Sequence, residues 1–384
     1  MWQWKCSYSS QRLHYGITGR TVLKKMSFQF ITAIPLNVWK GSGCFVGIDT
    51  LATGIRDLGG EVNFVTPGFR FPVYAVQRTL FNYILRYREF SSEDTIVGFD
   101  ADGYSIAGRR RARHVASIKG VIADVLPYET GPARASIAFH ARLERLHAQR
   151  ADLVVTPSRY CAERLDELYQ VRYATVIPEL IDLDRWRNLL RENPARTSPK
   201  QRFVVLCVCR FYSRKRVDVL LRAAAQLRAR VPELEVRIVG GGLEAISLRR
   251  LWRGLHLEET VSWLGDVTAG QLAAEYNGAD VFCLPSVQEG FGIVFLEAMA
   301  AGKPIVAARA AAVPEVVRHG LLVEPESDEA LADAIETLYG DSQLRTTLAS
   351  AGRRDVENFD MRRVARRFMN TVSVGTRELE EVAR

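Results

Sequence analysis

The sequence predicts an α/β protein built from two doubly wound, Rossmann-like domains that face each other across an interdomain cleft. Three observations lead there. Apolar runs of strand length alternate with amphipathic runs of helix length, the pattern of parallel sheets covered by helices. The alternation stops once, at a polar stretch over residues 188–202 with Pro194, Ser198, Pro199 and Lys200, and then begins again. The chain has 384 residues, 47% hydrophobic and 25% charged, which suits two globular domains better than one.

Residues 1–26 have no helical or strand period. Lys5, Arg12, Arg20, Lys24 and Lys25 lie there without an acid. The segment lacks the apolar core of a secretory signal. A disordered extension, or a start set upstream of Met26, accounts for it better than an organelle transit peptide. Residues 28–35 read as a strand, followed by the glycine turn Gly41-Ser42-Gly43. A helix over 46–58 places Ile48, Leu51, Ala52, Ile55 and Leu58 on one side, and Gly59-Gly60 ends it before a second strand over 61–65. Strands over 95–99, 115–118, 153–156 and 174–177 complete a first domain, residues 27–197. In the second domain, residues 198–357, strands are expected over 203–209, 234–239, 261–264, 280–284, 304–308 and 321–324. Helices are expected over 217–230, 243–255, 268–277 and 291–301, with one capped by Ser327. Thr268 and Gln271 form a capping-box pair. Residues 358–384 should form a helix that packs back toward the N-terminal domain.

Charge is uneven. Residues 1–200 carry 28 Lys and Arg against 19 Asp and Glu, whereas residues 201–384 carry 24 against 25. A basic N-terminal half, with Arg109, Arg110, Arg111 and Arg113 in one cluster, is either a solvated face or one attracted to anionic membrane. Nucleic acid is not favoured, because the basic clusters lack interleaved aromatics. The longest apolar run, residues 28–38, is too short for a membrane span and contains Pro35. The six cysteines are scattered without zinc or disulfide spacing, as in a cytoplasmic protein.

The chemistry concentrates in two segments. Residues 285–302 leave a buried strand, turn through Gly290 and Gly292, and enter an apolar helix. Unpartnered amides at a helix start favour an anion such as a diphosphate. Glu289 precedes that helix and Glu297 follows eight residues later, about 12 Å along an ideal axis. Each carboxylate can accept bonds from a sugar diol. The alternative makes Glu289 a loop charge and Glu297 a solvated helix residue. The second segment, Cys209-Arg210-Phe211-Tyr212-Ser213-Arg214-Lys215, follows the first strand of the C-terminal half. Arg210 and Lys215 can clamp a diphosphate and stabilise charge on a leaving group; alternatively they belong to an ordinary basic loop. Asp100 and Asp102 end a strand facing the cleft, where a structural role competes with a functional one. His114, His140 and His147 have no evident partner.

Together these segments resemble glycosyltransferase family 4, retaining enzymes of the GT-B fold, over roughly residues 28–370. The resemblance includes Val239-Gly240-Gly241-Gly242, Val261-Ser262-Trp263-Leu264-Gly265 and Gly302-Lys303-Pro304 as well. It implies a hexose-type transfer from a UDP- or GDP-sugar to a glycan, lipid or small molecule, with no metal and no cofactor besides the donor. Glu297 would hold the ribose, Glu289 the transferred sugar, and Arg210 with Lys215 the diphosphate. Gly290, Phe291, Gly292, Ile293 and Val294 would contact sugar and phosphate, with Gly41, Ser42 and Gly43 across the cleft. Trp263 and Leu264 would flank the base. Two positions depart from the pattern. Lys119 stands where a His is common, as a candidate catalytic contact, and Glu179 stands where Asn-Gly is common.

Rival readings are weaker. A dinucleotide oxidoreductase needs a Gly-x-Gly-x-x-Gly turn, and Cys44, Phe45 and Val46 break it. A nucleotide-sugar epimerase or hydrolase, or a binding-only partner subunit, would use the same fold. Acceptor contacts should lie around residues 69–87 and 104–113, and an anionic membrane could be met peripherally at its inner face.

Overall fold

The computed structural model describes residues 26–33, 43–69, 71–109, 112–195 and 202–374. Two six-stranded sheets dominate it. The first contains β1 (Ser27–Ile31), β2 (Glu61–Val65), β3 (Asp94–Phe99), β4 (Arg113–Ser117), β5 (Leu153–Thr156) and β6 (Ala174–Val176), in the order β2-β1-β3-β4-β5-β6. The second contains β7 (Phe203–Val208), β8 (Leu234–Val239), β9 (Val261–Gly265), β10 (Val281–Leu284), β11 (Ile305–Ala308) and β12 (Leu321–Val323), in the order β12-β11-β10-β7-β8-β9. Every strand pair is parallel. Helices cover both faces of such a sheet, so central strands are apolar at every position instead of alternating; β5, β10 and β11 are buried throughout.

The helices of the first half are α1 (Gly43–Asp57), α2 (Tyr74–Ile84), α3 (Gly131–Arg150), α4 (Arg159–Tyr169) and α5 (Leu183–Glu192). Those that follow are α6 (Val217–Leu227), α7 (Ala245–Gly254), α8 (Ala269–Gly278), α9 (Ile293–Ala300), α10 (Val313–Val316), α11 (Asp328–Gly340), α12 (Ser342–Asp355) and α13 (Met361–Ser373). The capping box at Thr268 forms, with Gln271 N donating to its hydroxyl at 3.2 Å.

The polar stretch at 188–202 is not linker from its start. Asp182 caps α5, and Arg185 N donates to its carboxylate at 2.9 Å. Leu183 and Trp186 enter the core of the C-terminal half, and Asn277 Nδ2 donates to Leu190 O and Asn193 O. Residues 181–192 therefore pack with the second sheet, although their sequence position places them with the first. The chain returns at the other end. Met361, Val364, Ala365, Phe368 and Val372 of α13 belong to the core around β1 and α1. The two crossings pair with each other, Ile181 N donating to Phe359 O and Met361 N to Ile181 O, both at 3.0 Å. Among the described residues no helix is long and apolar enough to cross a membrane. The segment 1–25, and with it nearly all of the expected extension, lies outside the described residues, as do Gly41 and Ser42.

Candidate active site

The C-terminal ends of β3, β4, β7 and β10 meet at a cavity of about 560 Å³ between the two sheets. Parallel α/β sheets bind ligands at that edge, because helix starts and free loop backbone gather there. From the C-terminal half the cavity is lined by Arg210, Lys215, Glu289, Gly290, Phe291, Gly292, Ile293 and Val294, and from the N-terminal half by Asp100, Lys119, Gly120 and Glu179 among others. Most residues expected at a donor site thus share one space.

Two loops bring the charged groups together. After β7, Phe211 N donates to Gly241 O at 2.9 Å, which extends the ladder with β8 into the glycine loop. A short turn, Ser213–Lys215, follows. Val287 N donates to Arg214 O at 2.9 Å and joins this turn to the loop leaving β10. The result is a buried ion pair between Lys215 Nζ and Glu289 Oε1. Arg210 pairs with Asp266 at 3.2 Å, where both side chains keep substantial solvent contact, so that pair adds little.

The helix at the site starts later than its pattern indicates, at Ile293 instead of residue 291. Gly292 is its N-cap at φ +92°, a conformation L residues rarely adopt, and a Cβ there would lie 2.6 Å from the Phe295 ring. Only four of the eight steps from Glu289 to Glu297 are helical, so the 12 Å estimate does not describe their separation. Gly290 lines the cavity and meets a second demand on its size. A Cβ at 290 would lie 2.8 Å from Lys119 O and 3.2 Å from Gly120 Cα, so its small size lets the two halves touch. Ser158 Oγ donates to Gly290 O at 2.8 Å across the same seam.

Four expected residues are not among those that line the cavity. Glu297, on α9, is partly buried, and Tyr276 OH donates to it at 3.0 Å. Burial pushes its carboxyl up to about 7, with the Tyr276 bond opposing the rise. Trp263 packs edge-on against Phe211 at 5.5 Å and Trp252 at 6.5 Å, and its indole nitrogen is buried without a partner among the described residues. Leu264 packs against the core of the second sheet. Gly43 opens α1.

On the N-terminal side, Asp100 and Asp102 take separate parts. Asp102 is fully buried and accepts from Ala33 N at 2.8 Å, Arg78 Nε at 2.8 Å and Asn82 Nδ2 at 3.1 Å, so it braces the fold. Asp100 lines the cavity in a left-handed conformation, φ 52°, and accepts from Lys119 N at 2.9 Å. Burial raises its carboxyl to about 6, with Arg78 opposing. Lys119 Nζ lies 2.9 Å from Glu179 Oε1, both side chains being nearly inaccessible. Its charge is therefore neutralised within the protein, which the sequence did not reveal although both residues stood out singly. His114 and His147, which looked unpartnered, join Nε2 to Nε2 at 2.8 Å. Burial is the main cause that lowers both imidazoles, so the pair is a neutral core contact.

Further contacts that no motif signalled bridge the halves. Gln288 Nε2 donates to Asp124 at 3.0 Å and Ser213 Oγ to Tyr128 O at 2.9 Å. Arg159 N and Tyr160 N donate to the Glu315 carboxylate at 2.8 and 2.7 Å. Such cross-cleft bonds join residues far apart in the chain, so local sequence carries no sign of them. Among the described residues no group of three or more His, Cys, Asp or Glu is placed to hold a metal ion.

Comparison with known proteins fits this geometry. The family model described as glycosyl transferases group 1 matches residues 191–355. A Mycolicibacterium smegmatis protein named GDP-mannose-dependent alpha-(1-6)-phosphatidylinositol monomannoside mannosyltransferase is 31% identical over 284 residues, covering 69% of this chain and 73% of that one. The structure of a sucrose-phosphate synthase from Thermosynechococcus elongatus matches with a TM-score of 0.76 at 21% identity, covering 93% of this chain and 100% of the other. Anabaena HepE, solved in complex with UDP and glucose, matches with a TM-score of 0.68 at 20% identity, covering 91% and 99%. At those identities the structural likeness concerns the fold, which is the two-domain GT-B arrangement. The aligned relative extends the match across both halves, and the chain accordingly belongs to the group 1 glycosyl transferases, glycosyltransferase family 4.

Proposed function

We propose that the chain transfers a hexose-type sugar from a UDP- or GDP-linked donor to a glycan, lipid or small-molecule acceptor, with retention and without a bound metal. The observation that carries this reading is the placement of Lys215, Glu289 and the start of α9 around one cavity, with Arg210 beside them. An entering diphosphate offers Lys215 a stronger partner than Glu289 does. The exchange frees Glu289 to accept hydroxyls of the sugar. Arg210, Lys215 and the free amides at the start of α9 then face the oxygen on which charge develops as the sugar leaves. No metal is needed where two cations and a helix start supply that charge, and a same-face attack by the acceptor keeps the anomeric configuration. Glu297, beyond the lining of the cavity but only partly buried, takes the ribose, and the stretch of Trp263 and Leu264 lies toward the base. The relative's name specifies GDP-mannose, and the HepE structure holds UDP and glucose; both bases are therefore candidates here.

Calorimetry with UDP and GDP tests the reading. Binding of one of them should persist in chelator. Affinity should rise between pH 6 and 8, because the Glu297 carboxyl ionises at about 7 and only the ionised form accepts bonds at both oxygens. Glu297→Gln should flatten that rise. Affinity that disappears with chelator sinks the metal-free claim, and a rise unchanged in Glu297→Gln removes Glu297 from the site.

We also infer a cytoplasmic protein that meets the inner face of an anionic membrane through its N-terminal half. Val76, Leu80, Tyr83 and Ile84 of α2 form an exposed apolar stripe, continued by Phe71, Val73 and Tyr87. Arg86, Arg88 and Arg109 are exposed nearby in the sequence. The described cysteines are free thiols, in keeping with a reducing compartment. In flotation, the protein should rise with anionic vesicles at 0.1 M salt and less so at 1 M, as the Debye length falls from about 10 Å to about 3 Å. Leu80→Glu with Ile84→Glu should abolish it. Equal recovery with neutral and anionic vesicles at low salt excludes the contact.

A further inference from the structure

Glu179 is a cavity acid to which the donor reading assigns nothing. It follows Pro178 where the chain leaves β6 for its first crossing, and its side chain is 5% exposed. One carboxylate oxygen, Oε1, is held by Lys119 Nζ at 2.9 Å. The other, Oε2, is buried and has no hydrogen-bond partner among the described residues. Both side chains line the cavity alongside Glu289, Gly290 and Ile293. The room for Oε2 exists because residue 47 of α1 is glycine. A Cβ there would collide with Oε2 and would touch Ile293 Cδ1 at 3.4 Å.

A carboxylate oxygen removed from water without a donor is costly, and native folds rarely leave one so. The ion pair compensates the charge of Glu179 but leaves the lone pairs of Oε2 unused. Lys119 serves Oε1 and leaves Oε2 without a donor. The missing partner must therefore donate a hydrogen bond. A phosphate oxygen can only accept, and is repelled by the carboxylate. A second cation would leave the cluster with unbalanced positive charge. A neutral hydroxyl meets both conditions; the donor reading gives the ribose hydroxyls to Glu297, so those left for Glu179 belong to the donor sugar.

We propose that Glu179, oriented by Lys119, is a specificity-determining residue that accepts a hydrogen bond from one hydroxyl of the sugar carried by the donor. This rests on the donor-cavity reading above. Two carboxylates, Glu289 and Glu179, then read the sugar from the two halves of the protein, with Glu179 kept in place by Lys119. Lys119 is a positioning residue: it holds Oε1 and so fixes where Oε2 lies, beside Gly47 and Ile293.

The test separates the sugar from the nucleotide. Calorimetry compares UDP with UDP-glucose and UDP-N-acetylglucosamine, and GDP with GDP-mannose, for the wild type, Glu179→Gln, and the double variant Lys119→Met with Glu179→Leu. The double variant removes both charges together, so neither is left buried alone. Bare nucleotide should bind all three proteins equally. The gain in affinity from the attached sugar should fall about tenfold in the double variant, the effect of one lost hydrogen bond to a charged group. It should fall less in Glu179→Gln, whose amide keeps one acceptor. Equal losses for bare nucleotide and nucleotide-sugar would make the pair a structural brace and overturn the proposal. An unchanged sugar gain in both variants, or no sugar gain in the wild type, overturns it as well. Should the double variant fail to fold, Glu179→Gln alone decides on the same comparison. A wild type that binds neither nucleotide refutes the donor-cavity reading itself, which is a different failure from a lost sugar gain.

Discussion

Glu289→Gln should lower the rate of sugar transfer about 10²-fold, the size of effect that a slightly misplaced reacting group produces. The amide keeps the shape of the side chain but loses one acceptor and the negative charge. The sugar would still reach the cavity, since the diphosphate contacts lie on other residues, but its anomeric carbon would no longer be held for attack. Nucleotide affinity should stay level or increase. In the ligand-free protein Lys215 is tied to Glu289, and a diphosphate has to displace that contact. With Gln at 289 the ammonium has no competing carboxylate. Release of nucleoside diphosphate, measured as an initial rate with a matched acceptor, gives the first quantity and calorimetry the second. Wild-type turnover in Glu289→Gln would show that the sugar is held elsewhere.

Lys215→Ala should be the most damaging single change, because it acts on fold and function together. Removing one member of a buried ion pair leaves the other charge unpaired, which costs about 3 kcal/mol or more. Glu289 would be that charge, with its side chain 9% exposed. The same substitution removes a cation from the phosphate region and leaves a carboxylate facing the incoming diphosphate, so nucleotide binding should fall beyond detection. The companion variant, Lys215→Ala with Glu289→Gln, should recover most of the stability but not the binding, since the unpaired charge is gone while the cation is still missing. Urea unfolding followed by fluorescence, beside calorimetry, separates the two effects. A double variant no more stable than Lys215→Ala would show that the loss came from packing and not from the stranded carboxylate.

The course of the two sheets was readable from the chain, because each strand and helix announces itself by the period of its apolar residues. The strand over 61–65 and the apolar runs that became β5, β10 and β11 needed no tertiary information. The same holds for the cavity wall at Glu289–Val294 and for Arg210 and Lys215, since a residue at the C-terminal end of a parallel strand must face the ligand edge. Boundaries at turns were less legible. The late start of α9 depends on Gly292 taking φ +92° beside Phe295, and the helical course of residues 188–192 depends on Trp186 finding the second core.

By itself the sequence determined the two-domain α/β architecture, the family, and which loops meet at the cleft, all of which follow from patterns within a few tens of residues. Only the tertiary structure decided how the charges are used. Lys215 with Glu289, Lys119 with Glu179, and His114 with His147 are pairs whose members lie on separate elements. No local period reports such a pairing, because it arises when packing removes two groups from water and leaves them each other as the nearest partner. The same cause made Gly290 a contact between halves and turned the separately unusual Lys119 and Glu179 into one unit at the cavity wall.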